Sequence, residues 1–351
     1  LQRGKMPFFE PGLEDIVKKN FTKGNISFSN NIEGAVADSK AIFLAVGTPS
    51  DGDGLFCMDY FKQAAREVGR ALKDKNEFRV IVGKSTVPQG SYKIISNILR
   101  EEIGDKTEWA YVSNPETLAE GTAVRDFSKP DRILVGTDSD KAYKIMVELY
   151  HPFVRREDKI MRGSSADAEL AKLFSNSALA CRIAMVNEFA RIADVTERSD
   201  METIRKMMCS DPRIGYQFMF PSPGYGGSCF PKDVLGLVSQ ARLDGYHPLV
   251  LNEIHKSNEN HKSYIGNKVV SLLGNKENSR IGVWGVVFKP FTDDMRDAAS
   301  IPILTNYINR GFEVFAYDPQ PEKAQSIFGN KVKFVERQYD ATRDVDALVL
   351  L

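Results

Sequence analysis

Several features are scarce in this 351-residue chain, and each scarcity closes off a class of function. Lys plus Arg and Asp plus Glu each number 47, so there is no net field to draw nucleic acid or an anionic membrane. A local basic pocket for a phosphate is still compatible with that balance. No apolar run approaches the roughly 20 residues that a membrane span needs, and no signal-peptide pattern opens the chain. A cytoplasmic protein without nucleic-acid or membrane partners is therefore expected. The four cysteines, at 57, 181, 209 and 229, form no C-x-x-C pair and no His/Cys cluster with zinc spacing, so neither a disulfide framework nor a metal site is expected.

What is present is enough hydrophobic content, 42%, to build buried cores for roughly two to three domains. The early chain alternates strand and helix. Ala41 to Val46 reads as a short strand, Tyr60 to Leu72 as a helix, Phe78 to Val82 as a strand and Ser91 to Leu99 as a helix. That alternation predicts a parallel sheet covered on both faces, with ligands at the carboxyl ends of its strands. Thr48 and Thr86 stand in the loops just after two of those strands. Each either faces a cofactor or only shapes its own turn.

One expected piece is missing. A dinucleotide-binding unit should begin with a strand and a G-x-G-x-x-G turn, followed about 20 residues later by an acidic residue. This chain has neither. It opens past the place for that strand and closes, at Asp346 to Leu351, on what reads as the middle of another. A fragment truncated at both ends is expected.

Ser164 to Val195 is the longest helical candidate. About 30 residues at 1.5 Å each would reach about 45 Å, longer than one small domain, so it should join domains or pair subunits. Its apolar residues fall on more than one face, as in a helix buried by partners. After Arg280 a second alternating unit follows: Ile281 to Phe288 strand, Ile301 to Asn309 helix, Glu313 to Tyr317 strand. The expected fold class is α/β, with two Rossmann-like doubly wound domains joined by a long central helix and the first of them incomplete. The expected boundaries are 1–160, 161–265 and 279–351.

The most informative segment is Gly224 to Asp233, a glycine-rich turn that delivers the thiol of Cys229 to the start of a helix, with Lys232 and Asp233 beside it. The glycines allow close approach to a ligand, and Pro231 suits the first helical position. A thiol near a helix N-terminus and a lysine should ionise readily, and the thiolate is the nucleophile. Elsewhere, Asn114 to Gly121 reads as a short helix capped by Asn114, with Glu116 and Glu120 on one face. Lys172 and Asn176, four apart on the long helix, could present donors to an oxyanion. Phe288 to Arg296 combines a strand end with Lys289 and Arg296 as a possible anion clamp. For each of these the alternative is an ordinary solvated or snorkelling charge.

Taken in order, Ser85 to Pro88, Asn114 to Ala123, Lys129 to Ile133, Glu169 to Asn176, Asp211 to Gly215, Gly226 to Asp233 and Phe288 to Pro290 resemble the UDP-glucose 6-dehydrogenase family. The likeness runs from Pro7 to Pro319. It implies NAD as cofactor, UDP-glucose as substrate and UDP-glucuronate as product, an N-terminal Rossmann domain, a central helix that builds a homodimer or higher homo-oligomer, and a C-terminal nucleotide-sugar domain. Relatives act on GDP-mannose or on UDP-N-acetylhexosamines, and Phe230 to Asp233 looks most like the UDP-glucose branch. A GDP-mannose enzyme, or an inert fragment that only binds a nucleotide sugar, are the alternatives.

By the same resemblance, Cys229 matches the nucleophile that holds the C6 aldehyde as a thiohemiacetal and then a thioester. Glu116 matches the carboxylate that activates the hydrolytic water, and Thr86 and Asp233 match residues that hold a water. Lys172 and Asn176 match the oxyanion donors, with Lys172 or a water on Asp233 as base for the first step. Thr48, Thr86, Glu120, Lys232 and Arg296 match cofactor contacts. Arg213, Phe220, Tyr225, Gly226 and Lys289, with Glu116, Lys172 and Asn176, match the substrate grip.

Overall fold

Short runs of Val, Ile and Leu become strands here, and the amphipathic stretches between them become helices, as their periodicity dictates. The computed structural model describes residues 6–351 apart from 52, 53, 155 and 275. Residues 1–5, where the chain opens, lie outside the described residues. The chain divides into two units, Leu1–Ser175 with Ser239–Asp244, and Asn176–Val238 with Gly245–Leu351.

In the first unit α1 (Leu13–Thr22) and α2 (Ile32–Ala37) precede β1 (Ala41–Leu44). There follow α3 (Asp59–Leu72), β2 (Arg79–Gly83), α4 (Ser91–Ile103), β3 (Trp109–Ser113), α5 (Ala123–Ser128), β4 (Ile133–Gly136), α6 (Asp140–Tyr150) and β5 (Ile160–Gly163). The five strands form one sheet in the order β1-β2-β3-β4-β5. All five residues of β2 are buried, as in a strand covered on both faces. Val80 and Val82 pack with Val112, Ile133 and Val135 against Ala142, Met146 and Tyr150 of α6.

The sheet departs from the expectation of purely parallel pairing. β1-β2-β3 are parallel and β4-β5 are parallel, but β3 and β4 meet antiparallel through a single register pair, Ser113 with Gly136. Residues 114–132 connect the two strands, with the six-residue α5 within them.

The long helix α7 (Ser165–Asp194) has 30 residues and bounds within one residue of the sequence reading. In the second unit α8 (Met201–Cys209), α9 (Phe230–Leu243) and α10 (Leu249–Leu272) precede β6 (Arg280–Trp284), α11 (Ser300–Asn309), β7 (Glu313–Tyr317), α12 (Glu322–Phe328), β8 (Val332–Phe334) and β9 (Ala347–Leu350). This sheet runs β8-β7-β6-β9 with every pair parallel. Its order reverses between β6 and β9, which is the switch point of a Rossmann half, and ligands bind outside the carboxyl ends there. Asp318, just past β7, accepts from the backbone N–H of Val286 (2.7 Å) and of Val287 (3.0 Å) and so fixes the loop leaving β6. Among the described residues no helix is long and apolar enough to cross a membrane.

Candidate active site

The first unit gathers three candidate residues at the carboxyl ends of β2 and β3. Thr86 lies in the loop leaving β2, Glu116 in the segment leaving β3, and Lys172 on the second turn of α7. Lys172 is 5% exposed, and its Nζ stands 3.7 Å from Glu116 Oε2. The other oxygen, Oε1, is buried with no hydrogen-bond partner among the described residues. A carboxylate oxygen left so is unusual in a folded protein, and it is the lone pair a base would offer to water. Thr86, Lys172, Pro115 and the buried Tyr111 line one small cavity.

The helix expected over Asn114 to Gly121 does not form; the segment has no regular structure up to a turn at Glu120 and Gly121, and the next helix starts only at Ala123. Asn114 is no cap. Its Nδ2 donates to Leu134 O at 2.7 Å, its Oδ1 accepts from Tyr150 Oη at 2.5 Å and Lys84 Nζ at 3.3 Å, and its own N–H donates to Gly83 O. Each of those partners pulls the residue along the sheet, and a residue before proline avoids the helical region anyway. Glu116 and Glu120 therefore do not share a helical face. Glu120 sits in the turn before Gly121, a turn held by the Glu10 carboxylate, which accepts from the N–H of Gly121 and of Ala123, each at 2.8 Å.

Thr48 spends its hydroxyl inside the protein, donating to Thr86 O at 2.6 Å, so it ties the loop after β1 to the loop after β2. Two groups that the sequence reading passed over complete this cluster. Burial brings the Lys84 ammonium down to about 8, against the pull of Glu116 and with the push of Lys172. Burial likewise raises Glu169, one turn before Lys172, to about 7. No linear signal marks either, since Glu169 has Asp167 and Lys172 close by in sequence and Lys84 follows a strand end as solvated lysines do.

The second unit assembles another group of candidates. Cys229 is partly exposed at the start of α9, and its carbonyl accepts the N–H of Asp233 at 2.8 Å. Asp233 is 1% exposed, and each carboxylate oxygen has a donor: Asn176 Nδ2 at 2.6 Å on Oδ2 and Lys232 Nζ at 2.7 Å on Oδ1. The helix begins at Phe230, so Pro231 is its second residue, where a missing N–H also costs nothing. The glycines admit the chain itself. A Cβ on Gly226 would stand 2.3 Å from Asp297 O, and one on Gly227, whose φ is +79°, would stand 2.8 Å from the Phe288 ring. Only glycine fits such approaches.

Tyr225 turns into the helical core with Ala180, Ala184, Val234 and Ile254, and both its backbone groups are taken by the Asn258 side chain, at 2.8 and 2.9 Å. Phe220 is 56% exposed, with the Arg205 guanidinium 4.1 Å over its ring. Arg213 forks onto Asp211, and Arg296 onto Asp294, each with an Nη2 to Oδ2 distance near that of a bidentate pair, 2.6 and 2.7 Å. Lys289 Nζ stands 5.8 Å from the centre of the Phe288 ring. The expected clamp cations thus carry local partners.

For a nicotinamide dinucleotide, the loops leaving β1 and β2 fit the redox end. Gly47 has no atom within 4 Å of where a Cβ would stand, so its backbone is open to a ligand, and Thr86 lies in the neighbouring loop. The glycine turn that would cradle the phosphates is not among the residues of this sequence.

Known proteins resemble this chain over its whole length. Sequence models of the UDP-glucose/GDP-mannose dehydrogenase family match residues 1–154 (NAD binding domain), 166–260 (central domain) and 282–351 (UDP binding domain). A UDP-glucose 6-dehydrogenase of Rhizobium meliloti is 38% identical over all of this chain and 80% of its own length. One of Bacillus subtilis is 36% identical over all of this chain and 75% of its own. A solved UDP-glucose dehydrogenase of Pyrobaculum islandicum superposes with a TM-score of 0.92 at 32% identity, covering 99% of this chain and 80% of its own.

Proposed function

Because this chain belongs to the UDP-glucose/GDP-mannose dehydrogenase family, we propose that it oxidises UDP-glucose at C6 to UDP-glucuronate in two NAD-dependent steps, through a covalent adduct on Cys229. NAD, when bound, supplies the hydride acceptor. Thr48, Thr86, Glu120, Lys232 and Arg296 are the residues that would hold it, and Arg213, Phe220, Tyr225, Gly226 and Lys289 those that would grip the nucleotide sugar. The observation that carries the proposal is the placement of Cys229, partly exposed on a glycine turn at the head of α9, one turn before an Asp233 that is fully hydrogen-bonded.

The chemistry follows from these groups. An aldehyde must not escape between oxidations. The Cys229 thiolate adds to it and forms a thiohemiacetal, and Lys172 and Asn176 are the residues that would donate to its oxyanion. Loss of hydride from that adduct leaves a thioester. Water, deprotonated by Glu116, then attacks the thioester carbon, the C–S bond breaks and the thiolate is regenerated. Base for the first step is Lys172 or a water held by Asp233.

The three-part division 1–160, 161–265 and 279–351 goes with this reading, as does a homodimer in the cytoplasm. Met185 and Ile192 on α7 are 39% and 57% exposed, which supports pairing of that helix with a second copy.

The test is direct. Purified protein, UDP-glucose and NAD should yield two reduced cofactors for each UDP-glucuronate formed. Absence of reduced cofactor, with UDP-glucose still bound in calorimetry, would make this chain a binding fragment. Turnover of GDP-mannose equal to or better than that of UDP-glucose would move it to the other branch.

A further inference from the structure

The helix α4 begins without a cap of its own: Gly90 precedes it in the left-handed region, and no side chain of its own segment satisfies its first N–H groups. Glu169 does so from α7. Its Oε2 accepts from Gly90 N at 2.9 Å and its Oε1 from Tyr92 N at 2.8 Å; Ser113 Oγ lies 3.4 Å from the same Oε1. The carboxylate is 2% exposed. One buried group therefore touches three segments: the one that leads from Thr86 into α4, the end of β3 from which Glu116 follows, and the α7 turn that carries Lys172.

The surroundings point the same way. Glu169, Lys172 and Thr86 line a single cavity with Tyr111, whose hydroxyl is buried and has no hydrogen-bond partner among the described residues. The groups that face Glu169 are the backbone and Ser91 side of α4, Tyr111 and Ser113 of β3, and Lys172 of its own helix. A helix-capping duty alone is met routinely by a local Ser, Thr, Asn or Asp. It does not call for a glutamate from a remote helix in so dry a place, where a charge is expensive.

We propose that Glu169 is a positioning residue for the dehydrogenase reaction, fixing the segment that carries Thr86 against the α7 turn that carries Lys172. This rests on the function proposed above. Glu169 takes no part in bond making; it sets where its neighbours stand, and a misplacement of about 1 Å at reacting groups costs about a hundredfold in rate.

Glu169→Gln and Glu169→Asp test it in the whole chain. The amide puts a donor opposite one of the two N–H groups, whereas the aspartate keeps the charge with a shorter reach. With the fold checked by circular dichroism, the glutamine variant should lose about tenfold or more in kcat while the KM for UDP-glucose changes by less than about threefold, and the aspartate variant should recover part of the loss. The acid limb of the wild-type kcat profile should lose its inflection near neutrality in the glutamine variant. A kcat within about twofold of wild type in folded Glu169→Gln would overturn the proposal, leaving a mere cap. Amide hydrogen exchange over residues 85–92 separates this from failure of the functional reading. If the wild type does not oxidise UDP-glucose at all, exchange about tenfold faster across 85–87 in Glu169→Gln still supports the positioning role, and unchanged exchange there overturns it.

Discussion

Asn176 and Asp233 form a buried side-chain pair, Nδ2 to Oδ2 at 2.6 Å, in which both members are more than nine-tenths hidden from solvent. The amide orientation follows from it, since only the nitrogen can donate to a carboxylate. Lys232 on the other oxygen completes the set, so each carboxylate oxygen of Asp233 has a donor beside the Cys229 turn.

Removing one partner exposes the cost. Asn176→Ala should destabilise the protein by about 1–3 kcal/mol, because it strands a buried carboxylate oxygen. Denaturant unfolding measures this, and a stability equal to wild type would show that the oxygen finds another donor.

Cys229→Ser should abolish UDP-glucuronate formation, with a loss of at least about a thousandfold, because a hydroxyl without an adjacent base does not carry the thioester route. Product analysis by mass spectrometry checks it. Normal acid output from the variant would refute the nucleophile.

Glu116→Gln should leave acylation largely intact and stall hydrolysis. The expected trace is a burst of reduced cofactor of about twice the enzyme concentration, one for each oxidation before the thioester, followed by slow or no turnover, with an adduct on Cys229 in intact-mass spectra. Uninterrupted steady turnover would remove Glu116 from the hydrolytic step.

Glu169 sets a pH dependence of stability. Burial raises it from the usual 4.5 to about 7, so the native state holds that proton more tightly than the unfolded chain. Its contribution is fully present below the ordinary carboxylate range and is lost as pH rises through about 7. Unfolding free energy should therefore fall across that window, and Glu169→Gln should flatten the slope. The measurement is a series of urea melts from pH 5 to 8.

Lys84 acts with the opposite sign. Its folded value is depressed from 10.5 to about 8, so its contribution is present above the ordinary lysine range and is lost as pH falls through about 8. At neutral pH its burial as a cation costs stability. Lys84→Met should raise stability at pH 7 by on the order of 1 kcal/mol and remove the alkaline part of the slope, while lowering activity if the charge serves the neighbouring Glu116. Calorimetric melting at pH 7 and pH 9 checks the first two.

Much of the fold was legible because its signals are local. Periodicity marked β1, α3, β2, α4, α7, α11 and β7, and the ends of α7 fell within one residue of Ser164 and Val195. The failures came where distant residues decide. Asn114 and Pro115 look like a helix start, yet Leu134, Tyr150 and Lys84 claim the asparagine side chain and leave it none to cap a helix with. Glu169 and Lys84 were not singled out, since nothing in a linear reading says that a charge will be sealed under a cavity. Arg296, expected with Lys289 in an anion clamp, also carries a local fork onto Asp294.

The residue types and their spacing alone determined that this is an α/β chain with a thiol set on a glycine turn at a helix start, because turn chemistry and period are properties of neighbouring residues. Only tertiary structure decided the antiparallel meeting of β3 and β4, the donors on each oxygen of Asp233 and the tie that Glu169 makes to α4. Those depend on the low dielectric and fixed distances of a packed interior, where a hydrogen bond is strong and an unmet polar group is costly.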